Sequence, residues 1–198
     1  DFIKRLEFAR SVSSALHLDV IESSFVAGSS LRVENWPLVD IEYSEAHLMV
    51  TNPLPYLPKI KTRGITRAIV HVESLFDLDE LVAEARVNDI ILGFAVNPET
   101  DLTTLRRFFA VSSYIQVMGV NPGRAGQEQL PNTALAVSYL NKQPYRLTIT
   151  VDGGVNGDNI ALLKLAGADF VVASSAIYGS PDWSKNYETL LERASNVN

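Results

Sequence analysis

Three short strings hold side chains that could do chemistry. In "LHLDVI" (16–21) an imidazole, His17, and a carboxylate, Asp19, stand two apart in an otherwise apolar run. "AHLMV" (46–50) places His47 and Met49 at the same spacing, and "TITVD" (148–152) places Asp152 two residues after Thr150. Residues two apart in a strand share a face, so each run offers polar groups on one side. Such groups are costly to bury without hydrogen bonds or a metal. His17, Asp19, His47 and Asp152 together make two neutral imidazoles and two carboxylates. That donor set suits one borderline divalent ion, Zn²⁺, Fe²⁺, Mn²⁺ or Co²⁺. His71 in "VHVES" reads instead as a core histidine whose hydrogen bonds are satisfied.

To converge, these residues need a scaffold that aligns strand ends. Seven β-branched apolar runs, at 16–21, 46–50, 67–72, 90–96, 114–120, 146–151 and 169–174, alternate with amphipathic stretches. The spacing predicts helices over 2–15, 77–87, 101–111, 159–169 and 180–194, the last opened by Ser180 as N-cap and Pro181 in the first turn. Residues 29–45, bounded by Pro37 and Pro53, carry no clear helical pattern. Near-continuous apolar strands alternating with helices argue for a parallel sheet covered on both faces. Seven of them favour a (β/α)₈ TIM barrel over an open sheet, with the first strand missing or upstream of Asp1. Residues 1–198 read as a single domain.

Glycine-bearing segments follow the later strands: "VNPGRAGQ" (120–127), "VDGGVNG" (151–157) and "ASSAIYGSP" (173–181). In barrels, phosphate groups sit on backbone N–H groups of the last two βα loops. Gly153, Gly154, Ser174 and Ser175 hold that place.

Bulk composition narrows the class. The chain has 198 residues, 46% hydrophobic and 20% charged, with a net charge of −6. No Lys/Arg stripe points to nucleic acid. Cysteine is absent, which excludes thiolate metal sites and fits a cytoplasmic setting. No apolar stretch approaches a membrane span.

The chain resembles the ribulose-phosphate 3-epimerase family through "LHLDVI", "HLMVTNP", "VHVE", "VNPET", "VMGVNPGRAGQ", "ITVDGGV" and "GADFVVASSAIYG", in that order, from about residue 15 to 180. The resemblance implies a barrel with one divalent metal ion, held by His17, Asp19, His47 and Asp152. Asp19 and Asp152 would be the catalytic acid/base pair. Met49 and Met118 would flank the intermediate. Gly123, Gly126, Gly153, Gly154, Ser174 and Ser175 would bind phosphate. The implied reaction is epimerisation at C3 of a ketose phosphate, D-ribulose 5-phosphate to D-xylulose 5-phosphate, through a metal-stabilised enediolate. The implied partner is a small sugar phosphate in pentose phosphate metabolism, with homo-oligomers compatible.

The chain departs from the family at four places. Glu22-Ser23-Ser24 replaces Asp-Gly-His, Arg124-Ala125 interrupts a glycine-rich loop, Ser174 stands where glycine is usual, and the family's first strand, with its substrate-contacting serine, is not visible. Apart from these four, a third methionine position of the family is Ile21 here. These changes spare the proposed ligands and touch the substrate shell. The alternative is a degenerate barrel of the same family acting as a binding protein. A phosphate-binding decarboxylase or synthase is disfavoured, because no catalytic lysine sits at a strand end.

Overall fold

The computed structural model describes residues 2–123 and 126–195. Arg124 and Ala125, one of the sequence departures, lie outside the described residues. Two compact units meet between Gly93 and Phe94.

The first unit begins with α1 (Phe2–Val12), followed by β1 (Ala15–Ile21) and a single 3₁₀ turn at Val33–Asn35. It continues with β2 (Tyr43–Met49), α2 (Tyr56–Lys61), β3 (Arg67–His71), α3 (Leu78–Val87) and the start of β4 (Ile91–Val96). β1 and β2 are parallel, with His17 opposite Glu45, Asp19 opposite His47 and Ile21 opposite Met49. β2 and β3 are also parallel, with His47 opposite Ile69. From Ser44 onward β2 is buried at every position, as expected of a parallel strand covered on both faces. Its non-histidine face, Ser44, Ala46 and Leu48, is sealed from water. On the helices, Leu57 and Ile60 of α2 and Leu81 and Ala85 of α3 are buried, at the spacing of one helical face. Asp77 caps α3 by accepting from Glu80 N at 2.9 Å.

Residues 29–45 form no α-helix, as Pro37 within them suggests. Arg63 holds this stretch instead, donating to the carbonyls of Glu34 at 2.7 Å and Trp36 at 3.2 Å. α2 was not legible in the sequence; Pro58 falls in its first turn, where a missing N–H is tolerated.

The second unit contains the rest of β4, then a 3₁₀ helix (Leu102–Arg107), β5 (Tyr114–Met118), α4 (Thr133–Asn141) and β6 (Thr148–Asp152). It ends with α5 (Ile160–Ala166), β7 (Phe170–Val172), α6 (Ser175–Tyr178) and α7 (Trp183–Ser195). Its strands run parallel in sequence order, with Gln116 opposite Thr150, Met118 opposite Asp152, and Asp152 opposite Val172. Its core includes the tilted pair Phe94–Phe108, with ring centroids 4.5 Å apart.

Two predicted helices are corrected, one in type and one in where it starts. The segment 101–111 is a six-residue 3₁₀ helix: Asp101 accepts from Thr103 N, and Thr104 Oγ1 donates to the Asp101 carbonyl, local bonds that compete with α-helical ones. The last helix begins at Trp183 and takes its first-turn acceptor from Asp182, which receives Lys185 N at 3.0 Å, not from Ser180. α5 stops at a glycine: Gly167 sits at φ 108° in the left-handed region. Among the described residues no helix is long and apolar enough to cross a membrane.

Candidate metal centre

The pleat of β1 turns His17 and Asp19 to one face, and the register sets His47 beside Asp19. Both imidazoles address the same oxygen. His17 Nε2 lies 3.4 Å from Asp19 Oδ1, and His47 Nδ1 lies 3.2 Å from it. A tetrahedral ion with bonds of about 2.0–2.1 Å needs neighbouring donor atoms about 3.3–3.4 Å apart. Each imidazole–carboxylate separation therefore fits a shared divalent cation, and the donor chemistry suits one. His47 is fully buried and His17 nearly so, while 48% of the Asp19 side chain is exposed.

Burial acts to raise the Asp19 carboxyl, but whenever the facing nitrogens of His17 and His47 carry protons, their hydrogen bonds and the charge of the protonated rings outweigh it. They hold the carboxyl well below the usual carboxylate range.

A further layer of side chains, which the strand motifs alone did not reveal, surrounds the imidazoles. Glu45 Oε1 lies 2.6 Å from His17 Nδ1. His71 Nε2 lies 2.8 Å from His47 Nε2, and Glu73 Oε2 lies 3.2 Å from His71 Nδ1. The expectation for His71 was a satisfied core histidine. It is buried and satisfied, and one of its partners is a proposed ligand. The signal for Glu45 was its two-residue spacing from His47, the pattern that singled out Asp19.

At the end of β1, Glu22 accepts from the Tyr56 hydroxyl at 2.6 Å, Thr51 N at 3.2 Å and Ser24 Oγ at 3.4 Å. The Glu22-Ser23-Ser24 departure is thus an ordered turn. It borders a polar cavity of about 680 Å³ that Arg32, Glu34 and Lys59 also line. Met49 ends β2 and is buried, opposite Ile21.

In the second unit, Asp152 ends β6 and receives Gln116 Nε2 on Oδ2 at 3.1 Å. The same Gln116 nitrogen lies 3.6 Å from Met118 Sδ, and Met118 is buried at the end of β5. Gly153 and Gly154 have φ of 105° and 66°. A Cβ on Gly154 would stand 2.5 Å from Gln129 N, and one on Gly153 would stand 2.5 Å from Val120 Cγ2. Both glycines are therefore required by the packing of the β6 loop on the β5 loop, which Gln129 Nε2 also ties to the Gly153 carbonyl. Gly123 and Gly126 bound the β5 loop with φ of 108° and 81°. Ser174 and Ser175 open the short α6 and are exposed. Ser174 has φ −113°, so serine replaces glycine there without backbone strain.

Comparisons with known proteins bear on the fold and the family. A mutant tryptophan synthase alpha-subunit from the hyperthermophile Pyrococcus furiosus superposes with a TM-score of 0.69 at 20% identity, covering 97% of this chain and 93% of that one. A 3-hexulose-6-phosphate synthase superposes with a TM-score of 0.59 at 19% identity, covering 76% and 72%. These likenesses place the chain in the TIM-barrel-like α/β fold of parallel strands. A ribulose-phosphate 3-epimerase of Aquifex aeolicus (strain VF5) is 31% identical over 180 residues, 87% of this chain and 81% of that protein. One of Chlamydia pneumoniae is 29% identical over 203 residues, 98% and 87%. The model of the Ribulose-phosphate 3 epimerase family matches residues 3–178. By that match, which spans nearly the whole chain, the protein belongs to the ribulose-phosphate 3-epimerase family.

Proposed function

We propose that the protein is a metal-dependent epimerase acting at C3 of a ketose phosphate, interconverting D-ribulose 5-phosphate and D-xylulose 5-phosphate. The observation that carries this reading is the convergence of His17 and His47 on one oxygen of Asp19 in a member of this family. Asp152, at the end of β6, is the fourth ligand-type side chain that the family resemblance adds. When bound, one divalent ion (Zn, Fe, Mn or Co) supplies positive charge beside the substrate ketone and so eases loss of the neighbouring proton.

Epimerisation needs a proton taken from one face of C3 and another returned to the opposite face. Asp19 and Asp152 fill those two roles. Asp19 is exposed enough to reach a substrate. Gln116 steadies one oxygen of Asp152, leaving its orientation toward the substrate defined. Met49 and Met118 offer soft apolar walls that exclude water from the reacting carbon. Gly123, Gly126, Gly153, Gly154, Ser174 and Ser175 supply backbone N–H groups to the phosphate, whose binding keeps C3 in line. The ordered Glu22 turn stands where the family motif differs, so the ketose phosphate accepted is the part of the reading most open to it.

The test is proton exchange. In deuterated solvent with added divalent ion, deuterium enters C3 of ribulose 5-phosphate, and xylulose 5-phosphate forms. Asp152→Asn abolishes the exchange. Metal-loaded protein that exchanges no proton on any ketose phosphate overturns the epimerase reading in favour of a binding role.

A further inference from the structure

We propose that Glu45 and Glu73 are positioning residues that dictate which nitrogen each histidine of the metal centre offers: Nε2 on His17, and Nδ1 on His47, the latter through His71. This rests on the metal-dependent reading above. It adds an assignment of tautomers that the ligand set alone does not contain.

A neutral imidazole has one N–H and one lone pair, and only the lone pair can bind a cation. The neighbours of the opposite nitrogen decide which is which. Glu45 lies opposite His17 in the β1–β2 register, with Oε1 2.6 Å from Nδ1. An ionised carboxylate only accepts, so the proton sits on Nδ1 of His17. The lone pair is then on Nε2, the nitrogen 3.4 Å from Asp19 Oδ1.

His47 is used the other way round. Its Nδ1 faces Asp19 Oδ1 at 3.2 Å, and its Nε2 meets His71 Nε2 at 2.8 Å. The two ring planes differ by 19° with centroids 4.9 Å apart. With the nitrogens at 2.8 Å, the rings touch edge to edge, in the geometry of an N–H···N hydrogen bond. One proton serves that contact, and by itself the contact does not say which ring owns it. Glu73 does. Its Oε2 lies 3.2 Å from His71 Nδ1, so His71 carries its proton there and presents a lone pair at Nε2. His47 must then donate from Nε2, which puts its lone pair on Nδ1. Both rings are fully buried, so bulk water is not at hand to supply a different pattern.

Donor and acceptor thus alternate along Glu73, His71 and His47, while Glu45 performs the same service for His17 in one step. The two arms arrive at different nitrogens, as the two different approaches to Asp19 require.

The test uses the full chain with Zn²⁺ as the probe. Three readouts are needed: Zn²⁺ affinity by chelator competition, thermal unfolding of the chelated protein, and ¹⁵N spectra of the Zn²⁺-loaded protein. The expected spectrum shows Nε2–H on His47 coupled across the hydrogen bond to His71 Nε2, and Nδ1–H on His17. Glu73→Gln keeps the side chain's size but can donate as well as accept, so it permits the wrong tautomer. It should weaken Zn²⁺ binding about 10–100-fold and disturb the His47–His71 proton while leaving His17 unchanged. Glu45→Gln should weaken binding similarly and disturb only His17. The chelated variants should unfold at the wild-type temperature. Affinity within twofold of wild type in both variants overturns the proposal, as does a wild-type proton on His71 Nε2. So does a loss of affinity matched by lower stability of the chelated protein, which marks a packing role. Wild-type protein that binds no divalent ion overturns the metal reading itself; wild-type binding with indifferent variants overturns only the positioning role.

Discussion

The Tyr56 hydroxyl donates to Glu22 Oε1 at 2.6 Å, tying the first residue of α2 to the turn that follows β1. Removal from water and this hydrogen bond push the Tyr56 phenol well above its ordinary value, so it remains a donor at any physiological pH. Glu22 also accepts from Thr51 N and Ser24 Oγ. The carboxylate is thus the junction of three segments. Tyr56→Phe should cost about 1–2 kcal/mol, and Glu22→Ala about 2–3 kcal/mol because it orphans several donors at once. Urea unfolding of the chelated proteins measures both.

Glycine demand should differ sharply between the loops after β5 and β6. Alanine at Gly154 meets both a left-handed backbone and Gln129 N at 2.5 Å. At Gly126 a Cβ would meet nothing within 4 Å, leaving only the left-handed penalty of about 1–2 kcal/mol. Gly154→Ala should therefore destabilise distinctly more than Gly126→Ala, by the same urea assay.

Removing the ion should lower stability by mass action. With free divalent ion 100-fold above its Kd, the native state gains about 2.7 kcal/mol. A chelator should abolish that gain, and in His47→Ala the ion should give little gain to abolish. Calorimetry with and without chelator reads the difference.

Acid should weaken one surface pair in a defined direction. A hydrogen bond from Lys59, at 2.8 Å, holds the Glu34 carboxyl below its ordinary value. Its folded value is lower than its unfolded one, so the contribution is complete above about pH 4.3 and fades as pH falls below it. Both side chains are substantially exposed, so the effect should be a few tenths of a kcal/mol and vanish in high salt. The stability difference between wild type and Glu34→Gln, followed from pH 7 to pH 3, checks the sign.

Much of the molecule was legible before any coordinates. All seven apolar runs became strands, with ends shifted by a few residues. The β-branched alternation that marks them is local, and so is the period-two pleat that set His17 and Asp19 on one face. Helix ends were less secure: Ser180 and Pro181 read as the start of the last helix, whereas Asp182 receives Lys185 N and the helix begins at Trp183. α2 escaped notice because six residues with a proline carry too little pattern.

By itself, then, the sequence determined the parallel α/β class and the ligand-type residues at the strand ends, since strand propensity and face alternation depend only on near neighbours. The tertiary structure decided which of those residues meet. The β1–β2 register placed Glu45 behind His17 and His47 beside Asp19, and the packing of β3 on β2 turned His71 from a core histidine into the partner of His47. It also showed that Gly153 and Gly154 answer to the close approach of Val120 and Gln129. Register and loop contact join residues tens of positions apart, and no local pattern in the chain records them.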